Sequence, residues 1–136
     1  MRARDLMTRD PVVVEVGRSI GEAARLMHDY DLRHLPVVDD GGLVGMLSDR
    51  DLRTYLPWSD QHTGTDPDTH DKLDDPVTAA MQHHLLKVGP EDALEQVIDT
   101  MVEWRVGAVP VVDPGTEQLA GIISYVDVLR EARGRL

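Results

Sequence analysis

Two tetrapeptides carry the residue types best suited to chemistry, Ser48-Asp49-Arg50-Asp51 and Ser124-Tyr125-Val126-Asp127. Each sets a hydroxyl and a carboxylate three positions apart, after an apolar run and before a helical pattern. At the start of a helix this spacing has a purely structural use. The hydroxyl accepts from the N–H three residues on, and the carboxylate reaches back to the serine N–H. That capping arrangement needs no ligand. The same geometry also suits a ligand. Free N–H groups and the positive end of the helix dipole attract phosphate, and a carboxylate can accept two hydrogen bonds from a ribose diol. Gly45 and Gly121 stand just before the motifs, where a missing side chain would let a planar base approach the strand.

Cations are placed unequally around the two motifs. Arg33-His34 precede Pro36, whereas Gly107-Ala108 precede Pro110, and Arg50 stands where the second motif has Val126. Arg33, His34 and Arg50 would form a local phosphate clamp. As solvent-facing helix-end cations Arg33 and Arg50 would need no ligand at all. Other candidates are weaker. His83 and His84 are adjacent, so in a strand they would point to opposite faces. His62 and His70, with nearby Asp residues, have no fixed metal-ligand spacing and read better as a solvated polar loop. There is no nucleophile-elbow glycine pattern, Walker motif or dinucleotide fingerprint. An enzyme using His34 or His83 with carboxylates ranks last, because no complete catalytic constellation is visible.

Composition narrows the partners. The chain has 136 residues and a net charge of −11, from 14 basic and 25 acidic residues. Such a surface repels nucleic-acid phosphates and anionic membranes, so neither is expected as a partner. A small anion held in one local basic pocket remains compatible. Lys72 and Lys87 are the only lysines, and the remaining cations are Arg, which suits planar carboxylate or phosphate recognition. With no Cys, disulfides, Cys-ligated zinc and thiol catalysis are excluded. The charged start, Met1 to Asp10, is no signal peptide, and no apolar run reaches membrane-spanning length. A soluble cytoplasmic protein is expected.

The elements that position the motifs come twice. Leu35-Pro36-Val37-Val38-Asp39 matches Val109-Pro110-Val111-Val112-Asp113 at an offset of 74, which also aligns Met7 with Met81, Val14 with Val88, Ile20 with Leu94 and Met27 with Met101. After a turn two residues longer in the second copy, the offset becomes 76 and aligns Gly45 with Gly121, Ser48 with Ser124 and Asp51 with Asp127. Each copy predicts a short helical start (Ala3–Met7; Pro76–Met81, opened by Asp75) and a strand (Pro11–Val16; Leu85–Val88). A helix follows, with Ile20, Ala23, Ala24, Met27 and Tyr30 on one face, or Leu94, Val97, Ile98, Met101 and Val102. Ser19 with Glu22 and Asp92 with Glu95 supply its opening. Two strands joined by a tight turn come next (Leu35–Val38 and Leu43–Leu47; Val109–Val112 and Leu119–Ile123). A last helix begins after Ser48 or Ser124. Core material is Val, Leu, Ile, Met and Ala, since aromatics make up 4% and Phe is absent. Each half alone has too little apolar area, so the halves should pack together about a pseudo-twofold axis. The expected organisation is repeat 1 over 1–57, an acidic linker over 58–74 and repeat 2 over 75–136.

The duplicated Leu-Pro-Val-Val-Asp stretch with its Gly-x-x-Ser-x-x-Asp resembles a pair of cystathionine β-synthase (CBS) domains, the Bateman module, from about Asp5 to Leu129. The resemblance implies an α/β (α+β) fold of two tandem βαββα repeats. It implies a regulatory, non-enzymatic module with no required cofactor. The ligand would be AMP, ADP, ATP or a related adenosine compound such as S-adenosylmethionine, bound in the cleft between the repeats. Carried over, Ser48 with Asp51 and Ser124 with Asp127 would hold sugar and phosphate. Val12, Val13, Leu85, Leu86, Met46 and Ile122 match the base-binding wall, although most are also ordinary core positions. The unequal cations then imply two sites of different character, one suited to a phosphorylated ligand. The family also suggests a homodimer packed through helices, signalling to an unknown regulated protein. The competing reading is a ligand-free structural or dimerisation scaffold in which both serines merely cap helices.

Overall fold

The computed structural model describes residues 1–56, 71–83 and 86–136. It is a mixed α/β structure with two three-stranded sheets. The strands are β1 (Thr8–Arg9), β2 (Val14–Glu15), β3 (His34–Asp39), β4 (Gly42–Ser48), β5 (Ala108–Val112) and β6 (Leu119–Ser124). The described α-helices are α1 (Ala3–Leu6), α2 (Ile20–Asp29), α3 (Asp49–Tyr55), α4 (Leu94–Trp104) and α5 (Tyr125–Gly134). No described helix is long and apolar enough to cross a membrane.

One compact unit comprises residues 12–40 and 44–85 and carries the sheet β2-β3-β4. β2 runs parallel to β3, pairing Val14 with Val37. The β3–β4 turn, Asp40-Gly41, has φ of 50° and 82°. Positive φ at both positions is the primed geometry that matches strand twist, and it explains the Gly. α2 turns Ile20, Ala23 and Met27 inward, and Ser19 accepts from the Glu22 N–H. These side chains meet Val14, Leu35, Val37, Leu47 and the α3 residue Leu52. Val77 and Met81, at the start of the second sequence copy, complete this first-copy core.

The other unit comprises residues 1–11, 41–43 and 86–136, with the sheet β1-β6-β5. Here the exchange is reciprocal. Ala3 of α1 joins Val88, Val97, Met101, Val109, Val111 and Ile123 in the core, and β1 pairs antiparallel with β6. Each copy's opening segment therefore completes the core of the unit that holds the other copy's hairpin.

Several local expectations are corrected. The strand expected over Pro11–Val16 is only β2, and of that expected over Leu85–Val88 the described residues 86–88 form one parallel bridge, Val88 to Val111. Asp92 does not cap α4. Its carboxylate accepts from the Gly89 N–H at 2.7 Å, leaving Ala93 at the cap position without a side-chain bond. Asp75 does not cap the 3₁₀ turn Val77–Ala79 but accepts from the Tyr55 hydroxyl. Tyr30 and Val102, expected on the buried stripes, are 60% and 69% exposed: Tyr30 is the C-cap residue beyond α2, and Val102 lies on α4 outside the buried Leu94, Val97 and Met101. Residues 72–74, expected within the linker, form a 3₁₀ turn packed on α2, with Asp71 capping it. Gly21 permits this approach, since a Cβ there would meet the Leu73 carbonyl at 3.2 Å. His62 and His70 lie outside the described residues.

Candidate functional site

Both Ser-x-x-Asp motifs sit where a strand ends and a helix begins. β4 closes on Ser48 and β6 on Ser124. In the first motif the Ser48 N–H donates to Asp51 Oδ2 at 2.9 Å, and the Asp51 N–H donates to Ser48 Oγ at 3.0 Å. In the second, the Ser124 N–H and Oγ donate to Asp127 Oδ2 at 2.9 and 3.1 Å, and the Asp127 N–H reaches Ser124 Oγ at 3.4 Å. Both are full capping boxes. The capping use is real, and any ligand would bind to side chains that are already locally oriented.

The glycines before the motifs serve close packing of the chain itself. A Cβ on Gly45 would lie 2.5 Å from Met81 Sδ and 3.0 Å from the Gln82 carbonyl. A Cβ on Gly121 would lie 2.6 Å from the Thr8 carbonyl and 2.7 Å from Met7 Sδ. The space expected to admit a planar base is occupied by these segments. Each segment then runs beside its motif strand: Gln82 bridges Met46, and Thr8 pairs with Ile122. Gln82 extends further, donating from Nε2 to Asp51 Oδ1 at 2.9 Å. Sequence reasoning missed Gln82, although the 74-residue offset already set it opposite Thr8.

The cations expected near the first motif are placed there. The Asp49 N–H donates to the Arg33 carbonyl at 2.9 Å, tying the approach to β3 to the start of α3. Arg33 and Arg50 are exposed, and among the described residues neither forms an ion pair. His34 is half-buried. Burial pushes its pKa below the ordinary 6.5, opposed by the charges of Asp49 and Asp51 and reinforced by Arg33. His34 therefore enters any phosphate clamp mainly as a neutral donor at pH 7, leaving Arg33 and Arg50 to supply charge.

This shift sets a pH dependence. The folded imidazole is the weaker base, so between its pKa and 6.5 the unfolded chain binds more protons. The contribution to stability is complete above pH 6.5 and is lost as pH falls towards the folded value. His34→Ala, which installs the residue found at Ala108, should flatten this limb. Urea unfolding at pH 7.5 and 5.5 should show a smaller loss on acidification in the variant. Equal losses would show that His34 does not titrate differently on folding.

The apolar candidates are dispersed. Val12 packs against the β2–β4 core. Val13 lines a cavity of about 950 Å³ beside α2 that includes Arg18 and Arg25 but neither Ser48 nor Asp51. That cavity also carries Glu15, Glu22, Asp29, Asp71 and Asp74, a poor balance for a phosphate. Met46 and Ile122 are half-buried at equivalent strand positions, and Leu86 is half-buried in the other unit. Leu85 and His84 lie outside the described residues.

The duplicated strand–Ser-x-x-Asp–helix geometry coincides with the known sequence profile of the CBS domain, which matches residues 3–57 and again 77–134. The chain belongs to the CBS-domain family. Among curated CBS relatives, YhcV of Bacillus subtilis is 32% identical over 127 residues, spanning 92% of this chain and 81% of YhcV. The chain spans under half the length of the next relatives it matches. Among solved CBS structures, CBSX2 in complex with AMP is 29% identical, with a TM-score of 0.80, covering 98% of this chain and 96% of CBSX2. The CBS domain pair of MJ0100, in complex with 5′-methylthioadenosine and S-adenosyl-L-methionine, has a TM-score of 0.83 and covers 100% and 98%; at 23% identity this likeness concerns the fold.

Proposed function

We propose that this CBS-domain pair is a regulatory module that binds an adenosine-containing ligand at its Ser-x-x-Asp motifs and works in the cytoplasm. The two copies, 1–57 and 75–136, each contribute one motif. The observation that carries the reading is the duplicated carboxylate at a strand end, held in the same orientation at Asp51 and Asp127. AMP in CBSX2 supports the adenine nucleotide class, and the MJ0100 ligands keep S-adenosylmethionine in the set to be tested. Asp51 and Asp127 would accept the ribose hydroxyls, while Arg33 and Arg50 would offer charge to a phosphate beside the first motif. The ligand acts by favouring one conformation or assembly over another, and so needs no chemical step. Calorimetric titration with AMP, ADP, ATP, NAD and S-adenosylmethionine tests the reading. Saturable heat with at least one of them is expected, and none with any of them would overturn it.

The full capping boxes favour one alternative, a ligand-free scaffold, and the same titration separates the two. In either case we infer a homodimer packed through helices. Its support is the exposure of Val102 and Trp104 on α4 and of Tyr125, Val126 and Leu129 on α5. Large apolar groups left in water favour association when they gather on one face. Light scattering should give twice the chain mass at tens of micromolar. A monomer there would contradict the inference.

A further inference from the structure

The two motifs share a backbone plan but differ in one side chain. Gln82 is anchored beside β4 by two backbone bonds: the Gln82 N–H donates to the Met46 carbonyl at 2.7 Å, and the Met46 N–H to the Gln82 carbonyl at 3.0 Å. From that fixed point its Nε2 donates to Asp51 Oδ1 at 2.9 Å. Asp51 Oδ2 already takes the Ser48 N–H. Both carboxylate oxygens of Asp51 are therefore engaged. At the second motif the corresponding residue is Thr8, paired with Ile122. Asp127 Oδ2 takes both Ser124 donors, and among the described residues nothing donates to Asp127 Oδ1.

We propose that Gln82 is a specificity-determining residue that makes the two motifs unequal, closing the outer edge of Asp51 and leaving the Asp127 motif to fill first. The inference rests on the adenosine reading, and on the side-chain contact rather than on either helix end. A ribose diol presents two donors, and one carboxylate oxygen with both lone pairs open can receive them. At Asp127 one oxygen stands free. At Asp51 the diol must share Oδ1 with the Gln82 amide or displace it, and that amide bond is charge-assisted, the stronger kind of neutral-donor contact. Gln82 is exposed, so the released amide can turn to water and the penalty stays moderate. The expected difference is on the order of tenfold in affinity. Arg33 and Arg50 act in the opposite direction for phosphorylated ligands, so the contrast is sharpest for a ligand with no phosphate.

The test is a titration of the full chain with adenosine, followed by amide NMR at both motifs. In the wild type the Ser124–Asp127 amides should saturate at roughly tenfold lower adenosine than the Ser48–Asp51 amides. Gln82→Thr, which copies the residue at Thr8, should bring the two curves together by strengthening the first motif. Coincident wild-type curves, or a first-motif curve that is unchanged or weakened by Gln82→Thr, would overturn the role of Gln82 while leaving adenosine binding intact. If neither motif responds to adenosine or AMP in the folded chain, the adenosine reading fails, and the selectivity fails with it. A ligand-free check uses Asp51→Asn. The Gln82 side-chain amide resonances should shift towards those of a solvated glutamine, and unmoved resonances would show that the contact is absent.

Discussion

Asp127→Ala is expected to weaken AMP binding at the second motif by about a hundredfold or more, and Asp51→Ala with Asp127→Ala to remove measurable binding altogether. Hydrogen bonds to a charged acceptor contribute about 1.5–3 kcal/mol each, so loss of two from a ribose diol reaches at least that range. The carboxylates also cap α3 and α5, so truncation to Ala costs roughly 1 kcal/mol of stability as well. Asn separates the two roles. Its amide oxygen can still accept the Ser124 or Ser48 N–H, while the charge and the second acceptor are gone. Asp127→Asn should therefore keep most of the thermal stability and still lose most of the affinity. Calorimetry and thermal unfolding on the three variants check this. Undiminished AMP binding in the double Ala variant would show that the motifs are caps and nothing more.

Gly121→Val should destabilise the chain by about 3 kcal/mol, lowering Tm by roughly 10 °C. A Cβ at this position would already sit 2.6 Å from the Thr8 carbonyl, a backbone atom that cannot swing aside like a side-chain end. β1 would have to lift off β6, breaking the Thr8–Ile122 and Arg9–Gly121 pairing. Ala3 and Leu6 of the preceding α1 are part of the same unit's core or packed on it, so the disturbance would spread into that core. Thermal unfolding followed by circular dichroism measures it. A Tm within a degree or two of the wild type would mean that β1 is not held against β6. Gly45→Val tests the equivalent approach of Met81 and Gln82 to β4.

The repeat, the central helices and the hairpins were legible because a buried face imposes a period. Ile20, Ala23 and Met27, and Leu94, Val97 and Met101, recur at helical spacing and are buried. The capping boxes at Ser48 and Ser124 were equally legible, since they depend on residues three apart. What sequence did not reveal is long-range. Nothing local in Ala3 or Val77 says that each completes the core around the other copy's hairpin. The carboxylates of Asp92 and Asp75 have the right type for caps, but better partners came from elsewhere: the Gly89 N–H and the Tyr55 hydroxyl. Gln82 lacked any motif, and its meaning comes from being brought beside Asp51, 31 positions away. The exposed Val102 and Tyr30 show the limit of periodicity, which locates a stripe but neither its width, at Val102, nor where the helix ends, at Tyr30.

The most direct test of the central claim is a crystal structure of the chain with AMP. The expected result is AMP with both ribose hydroxyls within hydrogen-bond distance of the Asp127 or the Asp51 carboxylate and the serine N–H capping bond of that motif retained. AMP bound away from both Asp127 and Asp51, or crystals grown in saturating AMP with both capping boxes unchanged and no nucleotide beside them, would contradict it.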